Sequence, residues 1–410
     1  MKNQIKRRNS FSSVIITSLL LMLAASSCKK SESNISVVSD DKTKPGVVTD
    51  VKVINQNGSA KITYKLPNSQ NLLYVLASYK INGSRVRETK ASYYTDTILT
   101  DGYAREQEYE VTLYAVSRAE VKSDPVTVKV HPLTPNYQRV NSNIDITPDF
   151  GGANFFTLNP DKAAIAVHVI AYDETAKKYV DEKPTYISTD TVNVSVRGYD
   201  AVPRKFGVYT TDRFGNVSDT LFKTLTPYFE TLLDKSKFRE YIKPTDSPIG
   251  YGWVFKNFFD GNTGEPGWHT DPAPRMQGTF SLGVSAKLSR FILWERVNGG
   301  VYAYQNIKRM TLWGTDKDLP ADVELPKNSA PGTVVGDWIN MGNFTFPNPP
   351  SGLPPNQANA ADAKFVQDGV NFKIPFEAPA TKYIRFVCTE TWGGLNYVNA
   401  LEISLYGNPL

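Results

Sequence analysis

The stretch that decides the architecture is NFFDGNTGEPGWHT, residues 257–270. A hydrophobic pair, Phe258 and Phe259, leads into an acidic-glycine-amide turn at Asp260, Gly261 and Asn262; a Gly and Pro break follows, and the run closes on Trp268 and His269. Glycine and proline punctuate the chain too densely here for a strand or a helix, so this is a loop that delivers two large rings. Working outward from it, short apolar runs recur at Leu288-Ser289-Arg290-Phe291, Trp294-Glu295-Arg296, Met310-Thr311-Leu312-Trp313-Gly314, Tyr383-Ile384-Arg385-Phe386 and Glu402-Ile403-Ser404. Alternation of this kind marks half-buried strands. All six tryptophans (Trp253, Trp268, Trp294, Trp313, Trp338 and Trp392) fall between residues 253 and 392, so this part of the chain differs in composition from the rest.

Taken in order, these segments resemble the discoidin, or coagulation-factor type C, fold, a galactose-binding-like jelly-roll β-sandwich shared by the family 32 carbohydrate-binding modules. The resemblance covers residues 239–410. Sugars present apolar C–H faces between hydroxyls, so an exposed ring beside a few fixed hydrogen-bonding groups is the usual physical solution to binding them. Trp253, Trp294, Trp313 and Trp338 sit in or beside strand-like runs and are expected in the core. Trp392 differs, because Thr391-Trp392-Gly393-Gly394-Leu395-Asn396-Tyr397 reads as a loop tip between two terminal strands. The expected ligand contacts are therefore Trp392 and Tyr397, with Trp268 and His269 from the opening loop. Arg296, Asn298 and Tyr302 join them from ERVNGGVYAYQN, where relatives often place polar ligands and where an Arg fork suits hydroxyl or carboxylate oxygens. The resemblance also implies a structural calcium held by Asp260, Glu402 and turn carbonyls, since calcium takes six to eight hard oxygens. Here the turn carries an extra residue before Trp268, and Glu265 falls near the position where a hydroxyl ligand is usual.

The amino terminus reads separately. The chain has 410 residues and a formal charge of +5, of which Lys2, Lys6, Arg7 and Arg8 supply four within an acid-free start; the remainder carries +1. A near-neutral body gives no electrostatic reason to expect nucleic acid. After those charges, Val14 to Ala25 is mostly apolar, too short to span a bilayer and of the right length for a signal-peptide core. It ends Ala25-Ser26-Ser27-Cys28, which resembles a bacterial lipobox with Ala25 in place of the commoner Leu. The expectation is a signal peptide over residues 1–27, lipidation of Cys28, and a polar tether over 28–43. More than one acyl chain anchors a protein without a spanning helix. The remaining cysteine, Cys388, alternates onto the core side of a strand and has no disulfide partner once Cys28 is acylated.

From Pro45 the pattern changes to strands. Ile62, Tyr64 and Leu66 alternate with lysines and Thr63, and Tyr109, Val111 and Leu113 with Glu110 and Thr112; Asn82-Gly83 is a hairpin signal because both residues tolerate positive φ. About seven short strands make a β-sandwich. Residues 44–134 resemble a fibronectin type III domain, with Tyr109 in the place of that fold's tyrosine corner. Past His131-Pro132-Leu133-Thr134-Pro135 the same strand pattern repeats, so residues 135–238 read as a second immunoglobulin-like β-sandwich with a connector. His168, between Val167 and Val169, is expected to face solvent from a strand. Phe229, Leu232 and Leu233 suggest a short connector helix within 227–242, and the five prolines of 344–357 an extended surface loop.

The expected fold class is thus all-β, with three sandwiches in a row. No catalytic constellation emerges: the three histidines are scattered, and there is no phosphate-binding glycine loop or nucleophile elbow. Lipid anchor, two spacer sandwiches and a distal Trp-rich sandwich together resemble the multi-domain surface lipoproteins of Bacteroidota-type polysaccharide-utilisation systems. What that implies is a non-catalytic, cell-surface glycan-binding protein of the outer membrane, serving a neighbouring outer-membrane transporter complex. An adhesin for host or matrix protein, an enzyme, and a structural subunit of the uptake complex stay open, because function does not follow from fold.

Overall fold

The computed structural model describes residues 39–410, so the signal peptide, Cys28 and most of the expected tether lie outside the described residues. The fold is all-β: among the described residues, Asn136–Ser142 and Ala360–Gln367 are the only α-helices, and no helix is long and apolar enough to cross a membrane. The chain divides between Arg139 and Val140 into two compact units.

The first unit is a sandwich of two antiparallel sheets. One orders Thr49–Gln56, Ser59–Lys65 and Thr97–Asp101; the other orders Val86–Ser92, Leu72–Lys80, Tyr109–Ser117 and Val126–Val130. Ile62, Tyr64, Val75, Val111 and Leu113 fill the space between them, as the alternation requires. The Tyr109 hydroxyl donates to the Arg105 carbonyl at 3.1 Å and accepts from the Arg105 N–H, which is the tyrosine corner expected from sequence. The Asn82-Gly83 hairpin forms, but by another mechanism. Neither residue adopts positive φ; instead the Asn82 side chain accepts from the N–H groups of Ser84 and Arg85, capping a wider loop.

In the second unit, a three-stranded sheet (Thr191–Val196, Gly152–Leu158, Asp145–Asp149) faces a larger one ordered Lys178–Asp181, Ile165–Asp173, Arg204–Asp212 and Leu221–Leu225, with Thr185–Ile187 also pairing with Ile165–Asp173. Along Ile165–Asp173, Ile165, Val167, Val169 and Ala171 point into the core and His168 points out, as expected. The expected connector helix is absent. Thr231–Leu232 pairs as a strand with the last strand of the chain, a single 3₁₀ turn follows at Lys235–Lys237, and Arg239–Glu240 pairs with Met276–Trp294. Leu233 and Phe238 are buried while Phe229 and Leu232 are exposed, so burial of the final sandwich's edge overrode helical spacing.

That final sandwich, in the same compact unit, turns on one long strand, Met276–Trp294. Its first half pairs with Thr381–Thr391 and its second with Glu402–Pro409 and Val370–Lys373, with register breaks at Ser281/Ala286 and Leu288/Arg290. The strand passes from one layer to the other, the jelly-roll device for joining two sheets. At the bend Gly283 has φ +72°, and a Cβ there would stand 2.6 Å from the Lys237 carbonyl oxygen, so only glycine fits. An aromatic mesh fills the core: Phe259 lies on Phe280 at 4.9 Å, Phe258 meets Phe386 at 5.0 Å, and Phe291 stacks on Phe372 at 5.0 Å. Each buried side chain of this size contributes about 1.5–3 kcal/mol. Cys388 is buried and free, as expected, and burial pushes its thiol far above the usual range. The proline-rich segment is a loop that ends in a helix the sequence reading missed, Ala360–Gln367, whose capping box is closed by Asn359 and Asp362.

Charged groups lock the second and third sandwiches together. Glu230 accepts from Arg197 at 2.7 Å, from the Ser289 hydroxyl at 2.5 Å and from Arg290 at 3.3 Å, and Asp149 binds Lys373 at 2.8 Å. Burial works to raise Asp149, yet Lys373, Ser195 and Arg197 together hold its carboxyl below the usual range. Phe150, Tyr228 and Phe376 pack beside this network.

Candidate functional site

Four loop segments of the third sandwich gather around His269, carrying Tyr251 and Trp253, Glu265, Arg296 and Asn298, and Tyr397. The two-residue strand Trp268–His269 pairs with Asn399–Ala400. Neighbouring strand residues point to opposite sides, and this one fact separates the two rings that the sequence treats as a pair. Trp268 turns inward, is 1% exposed, and packs against Phe255 at 4.9 Å and Phe258 at 5.3 Å. It has no face left for a ligand, which corrects its expected contact role. His269 turns toward the loops but is itself buried beneath them, stacked on Tyr397 at 5.7 Å, with Tyr251 edge-on at 4.8 Å and Trp253 at 6.2 Å, which corrects its expected contact role to one of supporting the rings above it.

Backbone bonds fix this arrangement. The Gly250 N–H donates to the His269 carbonyl at 2.8 Å and the His269 N–H to the Trp253 carbonyl at 3.1 Å, clamping the Gly250-Tyr251-Gly252-Trp253 loop onto the strand. Tyr251 is 85% exposed at φ +54°. A tyrosine held in the left-handed region costs about 1–3 kcal/mol and persists only where the surroundings impose it, which is why such positions gather at functional sites. Tyr302 and Tyr304, in the adjoining loop, share that conformation at φ +54° and +51°.

The polar groups gather on the same side. Arg296 lies 5.7 Å from the Trp253 ring centre, and its Nε donates to Glu265 Oε1 at 2.8 Å; Asn298 donates to the same oxygen at 3.1 Å. The hydrogen bond from Arg296 comes first among the causes that hold the Glu265 carboxyl below its usual range, so it is ionised at neutral pH. His269 Nδ1 lies 2.8 Å from the Thr270 carbonyl oxygen, which makes Nδ1 the protonated nitrogen and Nε2 an acceptor. Burial lowers the affinity of the ring for a second proton. The cluster therefore offers ring faces, cationic and amide donors, and an anionic acceptor, over a buried imidazole that holds the rings in place.

Other expected contacts are distributed differently. Tyr302 is 4% exposed and belongs to the core. Trp392 is half-buried, packs edge-on against Tyr302 at 5.3 Å, and has Lys308 Nζ 5.6 Å from its ring centre, so it joins a contact set separate from His269. Trp313 and Trp338 are core residues as expected, and Trp294 is half-buried over Gly369. Trp253, expected in the core, is half-buried in the site instead. Tyr251 is the site residue that the sequence reading missed, although the signal was there: rings alternating with glycines, the same cue that singled out Trp392.

The residues expected to hold calcium do not fit it. Glu402 is fully buried, with Oε1 2.5 Å from Lys235 Nζ and Oε2 accepting from the Gly261 N–H at 2.7 Å. A lysine ammonium already occupies the carboxylate's cation position, and Asp260 is turned to cap the Asn262 N–H at 2.8 Å. Among the described residues no group of three or more His, Cys, Asp or Glu side chains could hold a metal. Burial, opposed by Lys235, pushes the Glu402 carboxyl up to about 7.

Three family models match the chain, each described as a domain of unknown function: DUF4959 over residues 45–132, DUF5126 over 133–236 and DUF5000 over 255–407. No curated protein matches it. Among solved structures, a SusE-like protein is similar at 26% identity, covering 67% of this chain and all of that one, with a TM-score of 0.40. A family 32 carbohydrate-binding module from a Clostridium perfringens family 31 glycoside hydrolase is similar at 15% identity, covering 43% of this chain and 95% of that one, with a TM-score of 0.31. Another C. perfringens family 32 module, solved with galactose, is similar at 14% identity, covering 43% and 98%, with a TM-score of 0.28.

Proposed function

We propose that this chain is a cell-surface lipoprotein that captures glycan without cleaving it, on the loop end of its third sandwich. The observation that carries the reading is the His269 cluster: the exposed ring of Tyr251 and the half-buried rings of Trp253 and Tyr397, bordered by Arg296, Asn298 and Glu265. A sugar ring laid on Tyr251 or Trp253 would place hydroxyls against a donor fork, an amide and a carboxylate, which is the mixture a polyol needs. Such a site binds one sugar segment with about 4–8 kcal/mol, in the micromolar to millimolar range, and a polymer gains from repeated engagement. In this reading acylated Cys28 anchors the chain in the outer membrane, residues 44–134 and 135–238 carry the binding domain, and the captured glycan passes to a neighbouring transporter complex.

The test is affinity electrophoresis of the full chain through gels containing starch, galactan, xyloglucan or galactomannan. Retardation in at least one polymer is expected; equal mobility in all of them contradicts the reading. The anchor is checked apart from this, by labelling cells with an alkynyl fatty acid: label on the wild type and none on Cys28→Ala.

A further inference from the structure

The outer face of the second sandwich holds a feature with no role so far. We propose that a cleft there, walled by Tyr186 and His168 and floored by Ala166, is a second binding site for neutral polysaccharide, independent of the loop end of the third sandwich. It rests on the reading that this protein handles glycan, though not on which domain does so.

The cleft measures about 510 Å³ and is also lined by Ser188, Thr211 and Arg213. Its shape follows from strand register. Tyr186 and Thr211 both pair with Ala166, so a small residue lies between two larger ones and leaves a trough. Tyr186 is 80% exposed. One row along, His168 lies opposite Tyr209 and the two rings stack at 4.6 Å and 5°, with His168 Nε2 3.1 Å from the Thr211 hydroxyl. The lining is thus an apolar floor, two flat walls and a rim of hydroxyls with one carboxylate, Asp212, and one guanidinium, the composition of a small-ligand site.

Rings continue beyond the cleft. Ile170 pairs with Gly207, and Gly207 with Phe222; a Cβ on Gly207 would stand 2.7 Å from the Phe222 ring and 2.8 Å from Ile170, so the glycine lets Phe222 lie across the sheet. Tyr179 meets Phe222 at 5.2 Å and Tyr172 at 5.2 Å. From Ala166 to Tyr172 the strand advances about 20 Å at 3.3–3.4 Å per residue, a length suited to several linked sugar rings. A protein partner would require a contiguous dry patch at the centre of its footprint. Here polar groups sit among the rings: Thr211 beside His168, and Lys205 Nζ 4.6 Å from the Phe222 ring centre. Rings interleaved with hydroxyls and isolated charges complement a chain whose own surface alternates C–H faces with hydroxyls.

The test uses the full chain. The polymer gels are repeated, and the hexasaccharide of whichever polymer retards the wild type is titrated calorimetrically into wild type, Tyr186→Ala, Tyr186→Phe and Tyr251→Ala. Because Tyr186 is exposed, its variants should keep the wild-type Tm. Expected are two hexasaccharides per wild-type chain and one per Tyr186→Ala chain, with polymer affinity down about tenfold through lost avidity; Tyr186→Phe keeps both sites. One site per chain, unchanged by Tyr186→Ala, overturns this proposal and leaves the third-sandwich site standing. Binding lost with Tyr186→Ala and untouched by Tyr251→Ala does the reverse. Equal mobility in every polymer overturns both. A dimer in sedimentation that Tyr186→Ala dissolves, with no change in glycan titration, overturns the proposal in favour of a second copy on this face.

Discussion

Two tryptophan-rich regions of the third sandwich look alike in sequence and do opposite things. On the outer side of the strand pair Ile307–Thr315 and Thr381–Thr391, Trp313 and Trp338 are sealed with Leu325, Tyr383 and Val387. Arg385 is buried there, 4.8 Å from the Trp338 ring centre, and its guanidinium donates to Thr279, the Val323 carbonyl and Asp322 at 2.8–2.9 Å. At the loop end, Tyr251 is exposed and Trp253 half-buried, and Arg296 answers a carboxylate at the surface. Both regions combine rings, an arginine and an acid. What separates them is whether the arginine's bonds are spent inside the protein and whether the backbone holds a ring outward.

Arg385 is where the sealed region is most vulnerable. Replacing it with Met leaves Asp322 and the buried Asp246 without their cation, and loss of one partner of a buried pair costs about 3–5 kcal/mol. Urea denaturation of Arg385→Met should show that loss. Trp268→Ala should cost a similar 3–5 kcal/mol as a cavity, because this ring faces the core. Both variants are stability lesions. A wild-type denaturation midpoint for Arg385→Met would mean that the sealed region is not what holds the sandwich together, and one for Trp268→Ala that this ring does not help fill the main core.

The loop end should respond the other way round. Tyr251→Ala and Arg296→Ala should shift stability within about 0.5 kcal/mol, as surface changes do, while weakening polysaccharide binding about tenfold, or about 1.4 kcal/mol. Thermal melts beside affinity gels separate the two effects.

Two buried carboxyls sharpen the contrast through pH. Burial raises both Glu295, which accepts the Ile307 N–H at 2.6 Å, and Glu402 above the ordinary 4.5, Glu402 to about 7. An acid whose folded pKa is raised binds its proton more tightly in the folded state. Stability should therefore fall as pH rises from about 4.5 toward 7, where the unfolded chain ionises first. Glu295→Gln keeps the acceptor and removes the charge, so its Tm should match the wild type near pH 4 and exceed it near pH 7.5. Melts at those two pH values check this. The smallest effect concerns calcium: with Lys235 on Glu402, neither added calcium nor a chelator should move Tm, and a calcium-dependent rise would show the lysine giving way to the metal.

The strand pattern was legible because period-two burial is local: Ile62, Tyr64 and Val111 could be placed on core faces directly. The tyrosine corner was legible for the same reason, since Tyr109 bonds four residues away. Features set by distant partners were not. Lys235 lies 167 residues from Glu402, so nothing near either residue announces that a lysine takes the cation position. The connector's apolar spacing fits a helix, yet the open edge of the final strand claims it for a sheet. Trp268 and His269 are adjacent, and alternation puts them on opposite faces without saying which faces inward; only packing against Phe255 and Phe258 decides it. Trp253 reads as a core residue because apolar Val254 and Phe255 follow it, yet Phe255 alone goes to the core.

The most direct measurement is a single gel that carries the wild-type chain beside the Tyr251→Ala/Arg296→Ala double variant in whichever polysaccharide retards the wild type. The double variant should melt at the wild-type temperature and migrate markedly faster than the wild type, with its retardation reduced to what the second sandwich supplies. Retardation equal to that of the wild type would contradict a glycan site at the loop end of the third sandwich.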